Sequence, residues 1–81
     1  MNKDERVKVC ELYEKAFGRA VKNAREAKRL KQIELGDMVG ISQEVVSRIE
    51  NAYKNRHIYL SDALLICKAL DINMSELEKS L

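Results

Sequence analysis

The stretch Gln32–Asn51, QIELGDMVGISQEVVSRIEN, decides how the chain is read. Ile33, Leu35, Met38 and Val39 recur at helical spacing and predict a short helix over Gln32–Val39. Gly40 follows, a residue that takes the left-handed backbone of a helix end without a steric penalty. Ser42 then offers a hydroxyl to cap a second helix. That helix runs to about Asn51, with Val45, Val46 and Ile49 apolar. The Gly-Ile-Ser joint makes the two helices cross steeply. Position 36 must be small where they nearly touch, and Gly36 is small. Ile41 is expected to plug the gap beneath the turn. Leu35, Val39, Val46 and Ile49 are left to bury the pair against a preceding helix.

That burial leaves the second helix one polar face: Ser42, Gln43, Glu44, Ser47, Arg48 and Asn51. Two short helices in this arrangement form a helix-turn-helix, and the polar face is shaped to enter a major groove. Charge runs the same way. From Lys15 to Lys31 the chain carries seven basic residues against Glu26 alone, a block suited to a polyanion or to a solvated helix face. Lys54, Asn55, Arg56 and His57 follow the second helix, in a polar loop expected over Ala52–Tyr59. Phosphate contact, which positions a protein without specifying sequence, is the chemistry that fits them.

Upstream, Val9, Tyr13, Ala16, Phe17, Ala20, Val21, Ala24 and Ala27 predict a helix from about Leu12 to Lys28. The pattern extends back towards Asp4, so residues 1–11 are expected to form a helical extension ahead of a DNA-binding domain over 12–81. Gly18 costs about 1 kcal/mol relative to alanine inside a helix and is expected to mark a break between an N-terminal arm and the true first helix. Downstream, Leu60, Ala63, Leu64, Cys67 and Leu70 give a fourth amphipathic helix. Asn73 or Ser75 is placed to cap a last short one carrying Leu77.

Eighty-one residues give one domain, and 46% apolar with 35% charged residues describes a packed helical chain. No apolar run approaches the ~18 residues of a membrane span, and no apolar segment follows the charged first residues. A cytoplasmic protein that contacts no membrane is the expectation. Cys10 and Cys67 sit in apolar patterns without CxxC spacing and read as reduced, mostly buried thiols. No His/Cys/Asp/Glu cluster has metal-ligand spacing, and neither a nucleophile–base pair nor a glycine-rich phosphate loop is present. Hence no catalysis, metal, cofactor or small-molecule ligand is expected.

These residues resemble the Cro/C1-type helix-turn-helix family of lambdoid phage repressors and their small bacterial relatives. The likeness runs from Phe17 to about Leu77. It lies in FGRAVKNAREAKRLKQ for the first helix, SRIEN for the end of the recognition helix and LSDALLICKALDINMSEL for those that follow. The fold implied is all-α: a five-helix, lambda-repressor-like DNA-binding domain with the helical extension in front. The chain departs from the family pattern in four places. Lys31 stands where a capping Ser or Thr is common, so helix two is expected to start less sharply. Gly36 replaces alanine. Ala52 replaces a helix-ending glycine, so Asn51 is expected to turn left-handed. The loop before Leu60 is about two residues longer.

The function implied is sequence-specific regulation of transcription by a homodimer on double-stranded DNA, as repressor or activator at a pseudo-palindromic operator. The alternative is an antitoxin that binds a toxin and represses its own operon. The resemblance implies that Gln32 touches a phosphate and braces Gln43, which reads a base; the plainer alternative is two solvated glutamines. Glu44 either accepts from a cytosine amino group or favours the positive end of its helix. Ser47 and Arg48 complete the base-reading set, Arg48 by forking to a guanine or clamping a phosphate. Gln32, Asn51, Lys54, Asn55 and Arg56 form the phosphate-binding set. Arg25 and Glu50 match a structural salt bridge tying the first helix to the recognition helix. Leu65, Ile72, Met74, Leu77 and Leu81 form an apolar C-terminal surface, either core or, as the resemblance favours, the dimer interface.

Overall fold

The first helix, α1, spans Lys3–Ala27 without interruption. The computed structural model describes residues 1–52, 57–79 and 81. Asn2 caps α1, its side-chain oxygen accepting from the Glu5 N–H at 2.8 Å, and Asp4 and Glu5 sit in the first turn, where the helix dipole favours acids. Gly18 is therefore no break, contrary to the sequence expectation. It is buried, and a Cβ there would collide with the Ile49 carbonyl oxygen and stand 2.9 Å from that of Glu50. The glycine lets α1 press its backbone against the end of the recognition helix.

Helix α2 is Gln32–Val39 and α3 is Gln43–Asn51, with the bounds read from periodicity. Gly40 is left-handed (φ 78°), and the N–H groups of Gly40 and Ile41 both donate to the Gly36 carbonyl, at 2.8 and 2.9 Å. A Cβ at Gly36 would stand 2.6 Å from the Ile41 carbonyl oxygen, so the helices approach more closely than an alanine there permits. Ser42 caps α3, accepting from the Val45 N–H at 3.3 Å. Lys31 supplies no side-chain cap to α2. Instead its own N–H donates to Glu34 Oε1 at 2.9 Å, which secures the start that sequence reading left loose.

Helix ends are where sequence expectation and structure part. Arg29, Ala52 and Asp71 all take left-handed backbone. Asn51 stays helical and Ala52 turns, the reverse of the expectation. For an L-residue this conformation costs roughly 1–2 kcal/mol. At α1 the turn lets the Leu30 N–H reach the Arg25 carbonyl at 3.1 Å, and after α4 (Leu60–Leu70) the Ile72 N–H reaches that of Cys67 at 2.9 Å. Each bond satisfies a carbonyl that a helix end leaves open. The last helix, α5, is Ser75–Lys79; Asn73 marks its start, accepting from the Ser75 N–H at 3.0 Å.

Among the described residues, all regular structure is helical. One core joins Phe17 and Val21 of α1, Leu35 of α2, Val46 and Ile49 of α3, and Ala63, Ile66, Cys67 and Leu70 of α4. Val21, Leu35, Val46 and Ile66 are fully buried, each contributing about 1.5–3 kcal/mol relative to exposure. Ile41 is half-buried against this core beneath the turn. The fourth helix is rotated from its expected setting: Ile66 points inward, while Leu60 and Leu64, read as core-facing, are exposed. Cys67 is buried, whereas Cys10 is only half-buried. Desolvation pushes the Cys67 thiol above its ordinary pKa and keeps it protonated and unreactive.

Candidate nucleic-acid interface

Helix α3 has two sides of opposite character. Val46 and Ile49 are buried against α1 and α2, and Val45 packs at the core's edge. Gln43, Glu44 and Asn51 are exposed on the other side, with Ser47 and Arg48 half-buried beside them. All five candidate residues therefore share one accessible face. Gln43 stands in the first turn, directly after the Ser42 cap. Asn51 folds back, donating to the Ser47 carbonyl at 2.8 Å and to its hydroxyl at 3.2 Å. Glu44 lies one turn before Arg48, 3.7 Å from its guanidinium. An exposed pair of this kind contributes little to stability and is easily exchanged for another partner.

What holds that face in place is a polar cluster at the junction of three helices. Arg25 of α1 donates from Nε to Glu50 Oε2 at 2.7 Å and from Nη2 to Glu50 Oε1 at 2.9 Å. Its Nη1 donates to the Leu30 carbonyl at 2.7 Å. The two side chains are 11% and 2% exposed, so this is a bidentate pair largely out of water. The bonds to Glu50 push the Arg25 guanidinium above its ordinary pKa and hold it charged. Gln32, the first residue of α2, donates from its amide to Glu50 Oε1 at 3.1 Å. The expected brace to Gln43 is thus not the one the fold makes: Gln32 serves the Arg25–Glu50 pair, because α2 starts against the far end of α3. No feature of the sequence signals this third partner, which exists only once α1, α2 and α3 have packed.

Lys54, Asn55 and Arg56, expected at phosphates, lie outside the described residues. His57 is exposed beyond them. In α1 and the α1–α2 turn, Lys15, Arg19, Lys22, Lys28, Arg29 and Lys31 are exposed, and Lys28 meets Asp71 at 3.2 Å. The C-terminal apolar set divides. Leu65, Met74 and Leu81 are exposed, but Ile72 and Leu77 are half-buried against the core and belong to it. Among the described residues no group of three or more His, Cys, Asp or Glu is placed to hold a metal ion, and no helix is long and apolar enough to cross a membrane.

No curated protein is significantly similar to the chain in sequence. A family model described as helix-turn-helix matches residues 21–77, from the middle of α1 into α5. The match spans the turn at Gly40, the Ser42-capped helix and the Arg25–Glu50 clamp, and the chain belongs to the Cro/C1-type helix-turn-helix family of DNA-binding regulators.

Proposed function

We propose that this protein is a dimeric, sequence-specific regulator of transcription that lays α3 in the major groove of an operator. The observation that carries the reading is the division of α3 into a buried side and an open polar side bearing Gln43, Glu44, Ser47 and Arg48. Gln43, nearest the helix start, pairs with a base edge through its amide, as glutamine does with adenine. Arg48 exchanges Glu44 for a guanine or a phosphate. Gln32, Asn51 and the Lys54–Asn55–Arg56 segment supply phosphate contacts that set register. The Arg25–Glu50 pair touches no DNA and fixes the angle of α3. One nine-residue helix offers few base contacts. Two-fold pairing doubles them and places two such helices about 34 Å apart along one face of the duplex.

The test is binding to duplexes selected by the protein from a random pool, measured over a range of salt. Specific recognition yields an inverted-repeat consensus. The logarithm of the binding constant falls against the logarithm of salt with a slope of about −0.9 per phosphate neutralised. Failure to enrich any sequence, or a flat salt response, refutes the proposal.

A further inference from the structure

Between α1, α3 and the start of α4 the fold leaves a cleft of about 470 Å³. Small-molecule sites run from about 300 to 1,000 Å³ and combine a largely apolar wall with a few convergent polar groups. This cleft has that make-up. Val45, Ile49, Ala52 and Ile58 supply the apolar wall. Ile49 belongs to the core and Val45 and Ile58 pack against it, so the wall is held in place before any ligand arrives.

The polar groups of the cleft are unevenly matched. Glu14 enters it from α1 and Asp62 from the first turn of α4, and both are half-buried. Neither carboxylate makes a hydrogen bond or ion pair with a described residue. The positive end of α4 offsets part of the Asp62 charge, but Glu14, in the middle of a helix, has no such offset. Arg48, on the α3 side, is already met by Glu44 at 3.7 Å. The cleft therefore holds two negative charges without a counter-ion, and an anion entering it would meet both.

We propose that this cleft binds a small aliphatic diamine, with one ammonium on Glu14, the other on Asp62 and the methylene chain against Val45, Ile49 and Ile58. Each carboxylate supplies a charge-assisted hydrogen bond, and the apolar wall takes the chain between them out of water. Tyr59 borders the same cleft, and an aromatic ring beside an ammonium adds to its binding. Arg48 is common to the cleft and to the base-reading face, so the bound diamine sits next to the residues proposed to meet DNA. The inference does not depend on the DNA-binding reading, and its test uses no DNA.

Calorimetric titration of the full chain with cadaverine is that test. His57 also borders the cleft, so the titration is run at about pH 8, where imidazoles are ordinarily neutral and alkylammonium ions charged. The wild type should bind one cadaverine per chain. Glu14→Gln and Asp62→Asn should each weaken binding about tenfold, and pentylamine, with a single ammonium, should bind the wild type about tenfold more weakly than cadaverine. Both substitutions keep the side-chain shape and break no bond to a described residue, so helical circular dichroism should be unchanged. Asp37→Asn, on the exposed side of α2, should bind as the wild type does. Absence of saturable heat overturns the proposal. A loss shared by Asp37→Asn also overturns it, in favour of adsorption to surface charge. So does pentylamine binding as tightly as cadaverine, or either cleft variant binding as the wild type does, since each shows that two carboxylates are not engaged together.

Discussion

Replacing Glu50 by Gln tests whether the clamp, and not the hydrophobic face alone, sets α3. Glu50 accepts three hydrogen bonds: one from Arg25 at Oε2, and one each from Arg25 and Gln32 at Oε1. A glutamine has one acceptor oxygen in place of two. With that oxygen in the Oε1 position, its amide N–H2 faces the Arg25 Nε donor, which now stands 2.7 Å away. With the oxygen in the Oε2 position, the N–H2 faces the Arg25 Nη2 donor instead; Gln32 can flip to accept, but Arg25 cannot. Either way one guanidinium N–H is opposed, and the positive charge loses its counter-ion where it is 11% exposed.

Hydrogen bonds to charged groups contribute about 1.5–3 kcal/mol each, and breaking a buried pair costs about 3–5 kcal/mol. The Leu30 carbonyl keeps one bond to Arg25, which places the cost near the lower end, at about 3 kcal/mol. For a domain of this size that lowers the melting temperature by roughly 12–24 °C. Thermal unfolding followed by circular dichroism, at one fixed protein concentration, measures it. Arg25→Met with Glu50→Leu, which removes both charges together, should recover much of the loss. A shift of only a degree or two in Glu50→Gln, or a double variant no better than the single, refutes the clamp.

Four further outcomes are expected from other parts of the fold. Gly18→Ala should destabilise by about 1–3 kcal/mol through overpacking against the α3 carbonyls, despite the better helix propensity of alanine, whereas Gly40→Ala, with open space around it, should cost only about 1 kcal/mol of left-handed strain; chemical denaturation gives the ranking. Cys67 should resist a thiol reagent until the chain unfolds, while half-buried Cys10 reacts in the native state. Because burial raises the Cys67 pKa in the folded chain, its contribution to stability is complete below the ordinary thiol pKa of about 8.5 and is lost as pH climbs through the raised value, so melting temperature should fall on the alkaline side in the wild type but not in Cys67→Ala. Gln43→Ala should cost about 1–3 kcal/mol at one operator position and relax preference there, measured on a base-pair variant library; a uniform loss over all sequences assigns Gln43 to a phosphate instead.

The segment from Gln32 to Asn51 was legible because its determinants are local. Helical spacing, a glycine at Gly40 and a hydroxyl at Ser42 act within a few residues of one another, and the bounds of α2 and α3 follow from them. The open face of α3 was legible for the same reason: once Val46 and Ile49 are inward, Gln43, Glu44, Ser47 and Arg48 have one side left. Helix ends at Arg29, Ala52 and Asp71 were not, since none is the glycine that ordinarily marks a left-handed cap, and the turn shows itself only in the backbone bonds made there, from the Leu30 N–H to the Arg25 carbonyl, from the Ala52 N–H to that of Ile49 and from the Ile72 N–H to that of Cys67. Gly18 is a sharper case. Read along the chain it is a poor helix residue; read across the fold it is where α1 meets the Ile49 and Glu50 carbonyls, 31 and 32 positions away.

Helix α4 shows why amphipathic reading fails where a helix is apolar on several sides. Leu60, Leu64, Cys67 and Leu70 form as regular a stripe as Ala63, Ile66, Cys67 and Leu70, and spacing alone does not choose between them. The choice is made by the cleft that Val21, Leu35 and Val46 leave, which admits Ile66 and turns Leu60 and Leu64 outward. Ala63, Ile66, Cys67 and Leu70 pack on the chain's own core while Leu60 and Leu64 stay at the surface, so the stripe that is buried is decided by the partners that α1, α2 and α3 present and not by anything written in α4 itself.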